Sequence, residues 1–125
     1  IIYTVSARAK GTPLGEVATP LKRRDNEPVI YPDAFDKFHG GELQELLKQR
    51  GAKKLVLVGS STNMTVLYTA TAAARMYEYD VVIPMDGMNA RLDYEQEYTF
   101  HQFTVLSSNA NKRFQFTKLA MIGFK

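Results

Sequence analysis

The sequence contains no cysteine. That excludes disulfides, a zinc–thiolate site and a cysteine nucleophile. It fits a reducing compartment, so a cytoplasmic location is expected. Histidine is scarce as well: His39 and His101 are the only two. They are far apart and no Asp-x-His pair accompanies them, so no metal site is expected. No Gly-rich phosphate loop is present, and no cofactor is expected. No apolar run approaches ~20 residues, the length a membrane-crossing helix needs. Ile1-Ile2-Tyr3-Thr4-Val5 lacks the basic start and the length of a signal peptide. The net charge is only +3, from 16 basic and 13 acidic residues. Lys22-Arg23-Arg24 and Lys112-Arg113 read as solvated turns, so neither nucleic acid nor a membrane is an expected partner.

What remains is an ordinary globular composition, 45% hydrophobic and 23% charged. A length of 125 residues suits one domain. The chain is organised around Lys54 to Gly87. Leu55-Val56-Leu57-Val58, bounded by Lys53-Lys54 and Gly59, reads as a strand buried on both faces. A polar elbow follows, Ser60-Ser61-Thr62-Asn63, rich in residues that cap helices. Met64 to Tyr79 has neither Gly nor Pro, and Ala70 to Ala74 supplies small helix formers. Val81-Val82-Ile83 reads as a second strand, ending at Pro84. The unit is a βαβ crossover with parallel strands. Sites in such sheets form beyond the carboxyl ends of the strands. That points to Ser60, Ser61, Thr62, Thr65 and Asp86. The free N–H groups at the helix start favour negative charge there.

Around this unit, strands are expected at Ile1–Val5, Glu27–Tyr31 and Phe114–Thr117, with Pro28 favouring an edge position. Glu42 to Arg50 carries Leu43, Leu46 and Leu47 on one face and reads as a helix that Gly51 ends. Tyr94 to Leu106 reads as another, after a loop from Met88 to Asp93. Alternating strands and helices argue for an α/β fold with a mostly parallel sheet and helices on both faces. Leu119 to Phe124 is an apolar tail that needs covering. With the five methionines, it leads to the expectation of a homo-oligomer, a dimer or larger.

Several motifs carry a resemblance. They are Gly59-x-x-Thr62-x-x-x-Val66-x-x-Thr69-Ala70 and Val81-x-Ile83-x-x-Asp86-Gly87. Upstream lies Phe38-x-x-x-x-Leu43-x-x-Leu46-Leu47, and downstream Met121-Ile122-x-Phe124. In order and spacing this set resembles the isochorismatase-like (cysteine hydrolase) superfamily from about Pro28 to the C-terminus. The resemblance implies an open, doubly wound, Rossmann-like sheet, oligomerisation, and a non-proline cis peptide at Ser60-Ser61. It also implies a site made of an aspartate on a first strand, a lysine after the third, and a cysteine at the helix start. Thr65 stands at the cysteine's position and Pro32 at the lysine's. Ile1 to Val5 matches the family's second strand, so the domain is expected to lack its N-terminal central strand.

Two functional expectations follow. One is a hydrolase-type domain acting on a small molecule without a cysteine nucleophile, Thr65 taking the nucleophile's position and Ser60, Ser61, Thr62 and Asp86 contacting the ligand. The other is a non-catalytic relative serving as a binding or oligomeric scaffold. A threonine hydroxyl needs an adjacent base, and neither His39 nor His101 has a spacing that points to Thr65. True isochorismatases in the superfamily also lack the cysteine, so its absence alone does not exclude catalysis.

Overall fold

The computed structural model describes residues 1–124. Among the described residues, seven short strands and three α-helices follow one another. β1 is Tyr3–Thr4, β2 Val29–Ile30, α1 Glu42–Gln49, β3 Lys54–Val56 and β4 Gly59–Ser60. A π-helical turn, Thr62–Val66, leads into α2, Leu67–Arg75. Then come β5 Asp80–Pro84, β6 Met88–Asn89, α3 Asp93–Val105 and β7 Phe114–Thr117.

Each strand pairing is parallel. β3, β5 and β7 form one sheet in that order, and β1 pairs with β2 in another. No ladder joins β1 to β3 among the described residues. The parallel strands and interleaved helices agree with the α/β expectation. β2 has β1 as its one partner, the edge place that Pro28 suggested.

The core grows from one side of the larger sheet. Leu55, Val81 and Ile83 share a buried cluster with Leu43 and Leu47 of α1, Ala70, Ala73 and Ala74 of α2, and Phe103 of α3. Alanines at these α2 positions bring the helix backbone close to the strands. Phe103 sits between two rings of β7, with centroids 4.7 Å from Phe114 and 6.4 Å from Phe116. Phe38 stacks on Tyr77 at 4.6 Å, and the Tyr79 hydroxyl donates to Gln44 Oε1 at 2.9 Å. The tyrosines of Tyr77-Glu78-Tyr79 are thus packing residues.

Three local expectations need correction. Leu55–Val58 is not buried on both faces: the strand ends at Val56, and Val58 is 56% exposed. The reason is its place in the sheet, where β5 is its one partner. The central helix stops at Arg75 rather than Tyr79. Glu78 adopts a left-handed φ of 59°, and the Tyr79 N–H reaches back to Ala73 O at 2.9 Å. The left-handed residue thus turns the chain back onto the last turn of the helix two residues after its cap at Met76. Met88–Asn89, read as loop, forms a ladder with Gly59–Ser60.

Phe103 is fully buried. Phe103→Ala is expected to cost about 3–5 kcal/mol through lost transfer energy and a cavity. Tyr98→Ala, at a half-exposed position on the same helix, is expected to change stability by less than about 1 kcal/mol. Urea unfolding of both variants checks the contrast.

Candidate functional site

The elbow lies at the carboxyl end of β3. Gly59 has φ 129°, a region open to glycine. Its N–H donates to Gly87 O at 3.0 Å, which ties the elbow to the turn after β5. The Ser60-Ser61 bond is cis, as the resemblance implied. Ser61 O then accepts from Met64 N at 3.3 Å and Val66 N at 3.2 Å. The second of these skips a residue relative to an α-helix and makes the turn wide.

Helix starts leave their first N–H groups without partners inside the helix. Here no backbone or side-chain acceptor among the described residues meets the N–H groups of Thr62 and Asn63. The capping reading of the polar elbow fails in the structure: no side chain caps the turn at Ser61. Thr62 is fully buried, and its Oγ1 has no partner in the protein. Ser60 is exposed and Ser61 half-buried.

Thr65 is half-buried in the first turn, one turn ahead of Thr69. The Thr69 hydroxyl donates to Phe35 O at 3.3 Å and accepts from Lys37 N–H at 3.0 Å. Phe35 meets Tyr68 with ring centroids 6.2 Å apart. These contacts dock the turn after β2 onto the first half of α2. Pro32 is buried at the place the resemblance assigns to a lysine. Lys37 sits in the same turn and is 7% exposed. Its Nζ donates to Ala34 O at 2.8 Å. Burial holds its ammonium below the usual amine range, and Asp33 pulls weakly the other way. The burial of Lys37 is a property of the fold that no motif announces.

Asp86 is exposed, and its Oδ1 accepts from Leu119 N–H at 2.8 Å. That makes it an anchor for the C-terminal segment, next to the elbow through Gly87. His39 and His101 are both exposed. Neither has a hydrogen bond that leads to Thr65: His39 N–H donates to Asp36 O, and His101 O accepts from Thr104. Two surface cavities, of about 420 and 320 Å³, lie elsewhere. One is in the N-terminal loops beside Arg23 and Tyr31, the other at the amino ends of β3, β5 and β7. No group of three His, Asp or Glu side chains that could hold a metal is found among the described residues.

The Isochorismatase domain model matches residues 4–111. The chain belongs to the isochorismatase family. This isochorismatase-family chain is 33% identical over 82 residues to the secreted isochorismatase effector Isc1 of Verticillium dahliae. The match covers 66% of this chain and 43% of that protein. Among solved structures, an isochorismatase-like hydrolase from Alkaliphilus metalliredigens superposes with TM-score 0.79 at 22% identity, covering 95% of this chain and 60% of that one. Nicotinamidase PncA from Bacillus subtilis gives 0.77 at 21%, covering 94% and 74%. N-carbamoylsarcosine amidase from Thermoplasma acidophilum gives 0.75 at 20%, covering 98% and 72%. These structural matches establish the fold. The family chain therefore spans somewhat under half of Isc1 and about three fifths of the Alkaliphilus hydrolase. No helix among the described residues is long and apolar enough to cross a membrane.

The depressed Lys37 pKa has a sign that can be tested. The folded state binds this proton more weakly than the unfolded chain does. Between the lowered folded value and the ordinary lysine value of about 10.4, the unfolded state holds more protons, so this group's contribution to stability rises with pH. At neutral pH its charge is a cost. Lys37→Met is therefore expected to raise the urea midpoint at pH 7, and its advantage over the parent should shrink above about pH 10. A lower midpoint at pH 7 would contradict this reading.

Proposed function

We propose that this chain is an isochorismatase-family, hydrolase-type domain that binds a small molecule at the elbow and has no covalent thioester chemistry. The observation that carries this reading is the wide turn at Thr62–Val66, whose first N–H groups are unpaired and lie at the strand ends. An α-helix start with free N–H groups favours a carboxylate or a carbonyl oxygen that gains negative charge. In this reading Ser60, Ser61 and Thr62 line the ligand through their backbone, Thr65 stands in the nucleophile's place, and Asp86 borders the site. Hydrolase names among the structural neighbours, such as the nicotinamidase and the carbamoylsarcosine amidase, support a small-molecule ligand.

A second reading, a non-catalytic binding or scaffold member, is favoured by the chemistry at Thr65. A threonine hydroxyl stays far from ionisation near neutral pH, and no imidazole is bonded towards it. A helix start brings a thiol's pKa into the working range, but it does not do so for a hydroxyl. We therefore expect no ammonia release from nicotinamide or simple carbamoyl amides by the unmodified chain. Thr65→Cys alone should not restore turnover, because nucleophile, lysine and aspartate act as a unit and Pro32 stands in the lysine's place. Ammonia release by the parent chain that Thr65→Val abolishes would make Thr65 a nucleophile and overturn both expectations.

We also infer self-association. Val58, Pro84 and Leu119 converge on Gly87, where a Cβ would lie 2.9 Å from Val58 Cγ1. Val58 and Leu119 are substantially exposed there, and so are Met85 and Met121 nearby in the chain. Sedimentation at tens of micromolar is expected to show a dimer or larger species; a monomer would count against the proposal. The cysteine-free sequence supports a reducing compartment, the relative named as secreted supports export, and fractionation of the source cells decides between them.

A further inference from the structure

Among the described residues, two buried side-chain polar atoms have no partner in the protein: Thr62 Oγ1 and Gln96 Oε1. Thr62 opens the elbow turn and is fully buried. Gln96 lies on α3, which packs against that turn. The Gln96 Nε2 donates to Met88 O at 3.2 Å. That bond fixes the amide's orientation, because a carbonyl accepts only from the nitrogen. Oε1 is therefore held as an acceptor on the other side. Met88 belongs to β6, which pairs with Gly59–Ser60 immediately before the elbow. So both orphaned atoms are tied to the same few residues behind the elbow, one by sequence and one by a hydrogen bond.

A buried hydroxyl and a buried amide oxygen are costly when unpaired, and folded proteins rarely leave either so. Their chemistry is complementary, yet they do not reach each other directly. A single water fits the requirement: it accepts the Thr62 proton and donates one of its own to Gln96 Oε1. We propose that the space between the elbow turn and α3 is an internal hydration site holding one water molecule between Thr62 Oγ1 and Gln96 Oε1. Through that water α3 holds the first residue of the turn, and with it the N–H groups of Thr62 and Asn63. The site is structural and stands whether or not the elbow is catalytic.

A double-mutant cycle in denaturant unfolding tests this. Thr62→Val replaces the hydroxyl by a methyl at nearly constant volume. Gln96→Met removes the amide at similar length, and its loss of the Met88 bond is common to both backgrounds. With the water in place, Thr62→Val raises the unfolding constant roughly three- to tenfold. Most of that effect disappears when Gln96 is already Met, because the bridge is gone. Thr62→Val that is neutral or stabilising, or losses that simply add, would overturn the proposal. The parent chain gives a check that needs no variant. A high-resolution crystal structure should show a water oxygen within hydrogen-bonding distance of both atoms. A dry gap, or a direct Thr62–Gln96 hydrogen bond, would overturn the proposal as well.

Discussion

The close approach of α2 to the sheet is the contact on which the rest depends. Ala70, Ala73 and Ala74 present only methyl groups where the helix crosses Val81 and Ile83, and all five are buried. A leucine at any of the three alanines would push the helix outward by more than a close-packed core absorbs without strain. With the helix seated this deep, its first turn begins at the strand ends rather than above them. The wide turn, the tie from Gly59 to Gly87 and the ladder between β4 and β6 all follow from that depth.

Much of this was readable from residues. The apolar runs, the alanine block and the Leu43/Leu47 stripe name the strands and helices that form the core, because buried periodicity is written directly into the chain. The helix end was not readable. The chain leaves the helix after Arg75 and turns through a left-handed backbone at Glu78, a residue that gives no warning of it. The Met88–Asn89 ladder was missed for a similar reason: two residues carry no period, and the pairing is imposed by the elbow across from them. Sequence also offered the polar elbow as a set of caps. The structure spends those side chains otherwise, since the backbone oxygen of Ser61 closes the turn by itself.

The site divides in the same way. Ser60, Ser61, Thr62 and Thr65 were placed together by adjacency and stay together. Asp86 was placed beside them by topology, and its carboxylate is committed to the N–H of Leu119. Lys37 shows the limit of spacing arguments. Pro32, not Lys37, stands at the lysine's place in the resemblance, yet the fold buries Lys37 because the turn that carries it is pressed onto α2. Burial of an amine is a tertiary event, and a linear pattern does not record it.

The division of the described strands into three sheets has a consequence for how the molecule comes apart. The ladder between β1 and β2 shares no hydrogen bond with the ladder of β3, β5 and β7. Opening the N-terminal pair therefore breaks no rung of the larger sheet, though it pulls Ile30 out of the shared buried cluster. What clasps it to the remainder includes the Thr69 hydroxyl, gripping the main chain at both Phe35 and Lys37. The turn it grips carries the buried amine and lies against the helix that begins at the elbow. Partial unfolding of the first third of the chain would thus loosen one wall beside the site while the sheet under α2 stayed whole.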